Sequence, residues 1–145
     1  MDGDNRKSLL ELKVIWKDDH MFQLRVTATN GRYSGTTEVY DTSVSLANFA
    51  KSLLGYPKDE QVLFHNAGQT DGYSYFEMRF YCIDNAGHVG VQVSLEEYNS
   101  TRPEEKDKLK LEIIVEPSAI DNFQRELLQL AVNENGIARL YGRNN

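Results

Sequence analysis

The chain has little of what usually announces a chemistry. One cysteine, Cys82, in 145 residues leaves no intramolecular disulfide to form. Three scattered histidines, His20, His65 and His88, match no zinc-ligand spacing. Neither "GHVG" nor "GYSYF" fits a phosphate loop or a dinucleotide fingerprint. No apolar run is long enough to span a bilayer. The opening "MDGDNRKS" is polar where a signal peptide would carry its apolar segment. Positive charge is also short: 16 Lys and Arg against 22 Asp and Glu give a net charge of -6. A nucleic-acid binder relies on Lys and Arg to neutralise phosphates. The resulting expectation is a cytoplasmic protein with no cofactor, no metal, no nucleic-acid partner and no membrane contact.

What is present is alternation. The length suits one domain with one core, with residues 1–8 read as a flexible leader and 9–145 as a single domain. In "LLELKVIWK", Leu10, Leu12, Val14 and Trp16 face one way and Glu11, Lys13 and Lys17 the other, with Ile15 as the exception. Asn30-Gly31 suits a two-residue hairpin turn. Pairing Thr29 with Arg32 then sets Ala28 opposite Tyr33, Leu24 opposite Thr37 and Phe22 opposite Val39. "SLANFAKSLLGYP" changes period: Leu46, Phe49, Ala50, Leu53 and Leu54 form a helical stripe. Ser45 is its expected cap, Val44 its staple toward Phe49, and Gly55 and Pro57 its end.

"QVLFH" reads as a short strand and "NAGQTDG" as a loop. A long hairpin follows, with Met78, Phe80 and Cys82, then Val89, Val91, Val93 and Leu95, in the core phase. After the polar segment 99–108, "LKLEIIVE" turns Leu109, Leu111, Ile113 and Val115 inward. Pro117 opens a second helix with a stripe of Ile120, Phe123, Leu127, Leu130 and Ala131, and Gly136 stands near its end. The tail "IARLYGRNN" either docks as a short strand or stays loose. The order β-β-β-α-β-β-β-β-α predicts an α+β fold: an antiparallel sheet of about six or seven strands with two helices packed on one face.

The segment "YCIDNAGHVGVQVSL" comes closest to looking catalytic, with Cys82, Asp84 and His88 inside seven residues. Alternation argues against a dyad. Cys82 is in phase with Met78 and Phe80, whereas His88 is out of phase with Val89 and Val91. A thiol and an imidazole on opposite faces are not within hydrogen-bond reach. With Ile83 opposite His88, Asp84-Asn85-Ala86-Gly87 is a turn and Cys82 a small buried hydrophobe. His20 and His65 read as turn or surface histidines. Glu96 and Glu97, adjacent on a strand, diverge. No catalytic residue emerges, and the expectation is a protein that is not an enzyme.

The aromatics point to binding. Tyr73, Tyr75 and Tyr81 share the outer phase of one strand, beside Arg79 and, across the hairpin, Gln92. Exposed aromatic patches rimmed by charge mark partner sites. The segment 96–107 is the most acidic, with Glu96, Glu97, Glu104, Glu105 and Asp107 against Arg102 and Lys106. The candidate partner-binding residues are therefore Tyr75, Arg79, Tyr81, Gln92, Glu104 and Glu105. The expected partner is a protein, and a basic one, since complementary fields speed encounter. One alternative is a self-associating structural or accessory domain whose same face makes a homodimer. Another is a small-ligand carrier or enzyme with a site between sheet and helices. That reading needs polar groups in the core layer, for which Thr37 and Tyr33 are the candidates.

The stretch from Trp16 through the hairpin to "GHVGVQVSL", followed by a charged strand and a C-terminal helix, resembles an uncharacterised family of small bacterial α+β proteins that share a "GHV"-type turn opening a strand. It is similar to the immunity proteins of polymorphic-toxin systems. The resemblance implies an interaction protein, an immunity-type inhibitor of a partner protein, and transfers no catalytic residue.

Overall fold

Alternating segments become strands and the two 3.6-period segments become helices. The computed structural model describes residues 7–59, 61–68, 73–98 and 102–143. The elements are β1 (Leu9–Lys17), β2 (Phe22–Thr29), β3 (Ser34–Asp41), α1 (Ser43–Ser52), β4 (Leu63–Gly68), β5 (Ser74–Cys82), β6 (Val89–Tyr98), β7 (Lys106–Val115), α2 (Pro117–Asn133) and β8 (Ile137–Tyr141). The fold is α+β with antiparallel sheets, in the expected element order, and the tail docks as β8. The first six residues of the expected leader lie outside the described residues. Ser8 is tied down, its carbonyl accepting the Gly142 N–H at 2.9 Å. Among the described residues no helix is long and apolar enough to cross a membrane.

The single sheet of six or seven strands is corrected to two four-stranded sheets, β3-β2-β1-β8 and β4-β5-β6-β7. The break falls at α1, between β3 and β4. Rather than extending the second sheet, β3 lies across its strands. Gly35, near its start, sits so close to β7 and β6 that a Cβ there would lie 2.8 Å from Leu109 Cδ2. Farther along, the Thr37 hydroxyl donates to the Glu96 carbonyl at 3.2 Å and lies 3.1 Å from Glu97 Oε1. At the end of β3, Asp41 meets His65 of β4 at 2.7 Å. Periodicity tells which face a strand buries, not which strand it joins.

The inner faces of both sheets and the two helices share one core, with Phe22, Phe76, Phe80 and Phe123 fully buried. Burying each such side chain is worth about 1.5–3 kcal/mol. The helices therefore do not lie on one face of one sheet. They pack on each other, α2 also against β8 and α1 against β4. Gln124 of α2 is buried and donates to the Ala50 carbonyl of α1 at 3.1 Å. The cap of α1 is Thr42, whose hydroxyl accepts from Ser45 N, and not Ser45. Val44 is 71% exposed and staples nothing.

Two local departures bear on function. The register of β1 on β2 shifts at Ile15: Val14 lies opposite Leu24, yet Trp16 lies opposite Gln23. This bulge turns Trp16 from the core phase to the outer face. The β2–β3 hairpin is two residues out from the expected register, with Thr29 opposite Ser34 and Ala28 opposite Gly35. Asn30 is not the expected positive-φ residue of a two-residue turn. Its Oδ1 accepts from the N–H groups of Arg32 and Tyr33 at 3.0 and 2.9 Å, closing a wider loop. The position opposite Ala28 presses on Leu109, so glycine fits there and a tyrosine ring does not. Tyr33, a candidate for the core layer, is 62% exposed.

Candidate functional site

The turn at 83–88 forms as expected. Ile83 N donates to His88 O at 3.0 Å, and Gly87 takes φ 91. Asp84 Oδ1 accepts from the N–H groups of Ala86 and His88. Its Oδ2 lies 2.8 Å from His88 Nδ1, and this contact leads the causes that hold the Asp84 carboxyl below its ordinary range. His88 Nε2 is 3.4 Å from Glu116. Cys82 stands in the inward phase opposite Val89, half-buried and near Tyr56. Burial, then the neighbouring Cys82, pushes the Tyr56 phenol up to about 12. Asp84 and His88 thus serve the turn, and Cys82 faces the other way.

The outer face of the second sheet places the candidate residues in cross-strand rows. Phe64, Arg79, Gln92 and Glu112 form one row across β4 to β7, and Tyr81, Gly90 and Ile114 form the next. Arg79 is exposed and Gln92 half-buried. Tyr75, expected on an accessible patch, is only 7% exposed. Its hydroxyl donates to Glu77 Oε1 at 2.6 Å; burial first, then Glu77, raises its phenol to about 12. Tyr81 lies over Gly90 and donates to the Glu112 carboxylate; burial first, then Glu112, raises its pKa. Tyr73 stands out, 77% exposed.

The acidic segment is shorter as a loop than expected. Glu96 and Glu97 belong to β6, and Lys106 and Asp107 to β7; residues 99–101 lie outside the described residues. Its acids are partly matched. Arg102 is 3.5 Å from Glu104 and 2.7 Å from Glu105, and Lys106 is 2.9 Å from Glu96. A groove of about 310 Å³ runs between β3 and the ends of β6 and β7, lined by Thr36, Thr37, Glu96, Glu97, Asp107 and Lys108. It lies between the sheets, not between sheet and helices. Thr37, expected as a polar group between sheet and helices, is buried here instead, and Glu96 and Glu97 are already engaged by Lys106 and Thr37.

Sequence reasoning missed two features. The first is the corner of the first sheet where the bulge delivers Trp16. Its ring meets Tyr40 edge-on at 6.0 Å, and the two are 47% and 53% exposed. Gln23 separates them in the row, and the Arg25–Glu38 pair at 2.9 Å lies one row on. Met21 adds exposed apolar surface beside the β1–β2 turn, where Asp18 Oδ1 accepts from the N–H groups of His20 and Met21. The break in alternation at Ile15 was its signal.

The second is the His65–Asp41 pair. His65 is no surface histidine: both side chains are 6% exposed. Asp41 Oδ1 also accepts the Thr42 N–H at 2.7 Å, and the Phe49 ring lies 5.3 Å from the imidazole. Continuing the alternation of "LFHNAG" would have put His65 in the buried phase with Ala67. Among the described residues, no three His, Cys, Asp or Glu side chains gather as a metal-holding set. Compared with known proteins, no family model matches the chain, and no curated protein or solved structure matches it either.

Proposed function

We propose that the chain is a non-enzymatic protein-binding domain that meets a partner protein through the Trp16–Tyr40 corner of its first sheet, and that it acts as an immunity-type inhibitor. The observation that carries the reading is the bulge. It spends one residue of β1 to bring the sole tryptophan out of the core phase and set it, half exposed, against an exposed tyrosine. Bulges re-aim side chains at functional places, and Trp, Tyr and Arg dominate the binding energy of protein interfaces. The Arg25–Glu38 pair supplies a polar rim. The net charge of -6 favours a basic partner. Arg79 and Gln92 on the second sheet, and Glu104 and Glu105 in the segment before β7, would make secondary contacts.

The test begins with capture of the partner from lysate of the cells that make this protein. Titration calorimetry with the purified partner then gives the affinity of each variant, and the emission of Trp16, the single tryptophan of this chain, is followed with the partner's own emission subtracted. Trp16→Ala is expected to weaken binding by about thirtyfold, as a central anchor does. Arg79→Ala and Glu104→Lys are expected to cost about fivefold or less, as rim residues do. Affinity unchanged in Trp16→Ala and Tyr40→Ala, with Trp16 emission unmoved on binding, would sink the reading.

A further inference from the structure

Four strands form the edges of the two sheets, and three of them are guarded. On β8, the Arg139 N–H donates to Glu126 Oε1 of α2 at 2.8 Å. On β7, the Ile114 carbonyl accepts from Arg143 N at 2.8 Å, and the strand carries Lys106, Asp107, Lys108, Lys110 and Glu112. On β3 there are Glu38 and Asp41, and the strand lies across the second sheet. The fourth, β4, is different. "LFHNAG" holds no Lys, Arg, Asp, Glu or Pro. Its register on β5 runs unbroken from Leu63 opposite Phe80 to Gly68 opposite Tyr75, with no bulge. Its one ionisable side chain, His65, is turned inward. Among the described residues, nothing beyond β5 hydrogen-bonds to its backbone. Phe64 and the adjoining Val62 are 49% and 50% exposed. Charge, proline, bulges and covering segments are how natural edges avoid pairing with other strands, and among the described residues β4 has none of these along its free edge.

We propose that β4 is the pairing edge for a second copy of this chain, joining the two second sheets antiparallel into one continuous sheet. The sequence of the edge favours a copy of itself over a foreign strand. A twofold axis sets residues near the centre of the strand against themselves, and a like charge there is destabilising; this strand has none. A continuous sheet must also keep outward residues outward. Pairing centred on Phe64 does so. It sets Phe64 against Phe64 of the second copy, an aromatic cross-strand pair. Val62 then meets Asn66 of the second copy, and Leu63 meets its His65. The net charge of -6 on each copy opposes association. Salt screens that repulsion, with a Debye length of about 8 Å at physiological ionic strength. Dimerisation through β4 is therefore strengthened by salt, whereas capture of a basic partner is weakened by it. The inference does not rest on the Trp16 corner, which belongs to the other sheet.

Sedimentation equilibrium of the full chain tests it, across about a hundredfold range of concentration at low and high salt. The expected result is a monomer–dimer equilibrium that salt shifts toward dimer. Phe64→Lys should raise its dissociation constant by about thirtyfold or more, while Phe64→Leu and Trp16→Ala leave it within about threefold. Far-UV circular dichroism of Phe64→Lys must match the parent. Hydrogen exchange supplies a readout without mutation: β4 amides gain protection as concentration rises. A chain that stays monomeric throughout, or a dimer untouched by Phe64→Lys, overturns the proposal. So does protection of β4 that arises only when a different protein is added.

Discussion

Both sheets carry aromatic side chains on the face turned away from the core, and they use them differently. On the second sheet the two outward tyrosines of β5 are occupied within the molecule, while Phe64 at the β4 edge stays half exposed. Tyr75 is buried and donates to Glu77; Tyr81 covers Gly90 and donates to Glu112. On the first sheet Trp16 and Tyr40 touch each other edge-on and otherwise face solvent. An aromatic in the outward phase of a strand is thus not yet an interface residue. What decides is whether a neighbouring glycine or carboxylate takes up its ring and hydroxyl. By that criterion the proposed binding centre is the Trp16–Tyr40 corner and not the β5 tyrosines.

The joint between the sheets gives the largest effect. Asp41 holds His65 on one oxygen and the Thr42 N–H on the other, and both side chains are buried. Asp41→Ala leaves the buried His65 imidazole without its partner and the Thr42 N–H without its acceptor, so it should cost about 3 kcal/mol of stability, read from denaturant midpoints. A cycle with His65→Ala should show non-additive coupling of about 1 kcal/mol or more. Additive losses would mean that the sheets are held by apolar packing alone. Gly90→Val comes next. A Cβ at 90 would lie 2.4 Å from Tyr81 Cε1, so the ring must leave, and its bond to Glu112 with it. The expected loss is about 2 kcal/mol. This variant also erases the difference between the faces, because Tyr81 becomes accessible to a partner or to aggregation.

Much of this was legible in the sequence, and the failures have physical reasons. Element order, the α2 stripe and the 83–88 turn followed from period and turn chemistry. The hairpin at Asn30 was misread by two residues because such a slip keeps every side chain on its own face; the alternation of β2 and β3 cannot detect it. The constraint that fixes the register is the approach of Gly35 to Leu109, seventy-four positions away. The division into two sheets was illegible for the same reason, since a strand's alternation does not name its neighbour. Trp16 was half legible: Ile15 broke the pattern, and a broken pattern is how a bulge looks from the sequence. His65 needed only three more residues of alternation.

Alkaline pH sharpens the comparison without mutation. Burial and a neighbouring carboxylate raise the Tyr75 phenol from 10.0 to about 12, and Tyr81 rises for the same causes. Tyr56 reaches about 12 through burial and its neighbours Cys82 and Asp59. A folded phenol that keeps its proton longer than the unfolded one contributes stability that is complete below pH 10. That stability is lost as pH rises through about 12. Melting temperature should therefore fall across this window as the second sheet loosens. Tyr75→Phe should flatten the fall, because its side chain has no proton to lose. A fall of equal steepness in Tyr75→Phe and Tyr81→Phe would show that these phenols are not its source.

The smallest effect on folding is expected where the effect on binding is expected to be largest. Trp16 is about half exposed, hydrogen-bonds to nothing among the described residues, and meets the Tyr40 ring edge-on. Trp16→Ala should cost about 0.5–1 kcal/mol of stability, the scale of an aromatic pair. A side chain this large, placed where the fold gains so little from it, needs another reason to be there, and partner binding is one. A loss of 3 kcal/mol or more, typical of a core tryptophan, would make the bulge a packing device. The contrast between the two faces would then dissolve, because both would hold their aromatics for the sake of the fold.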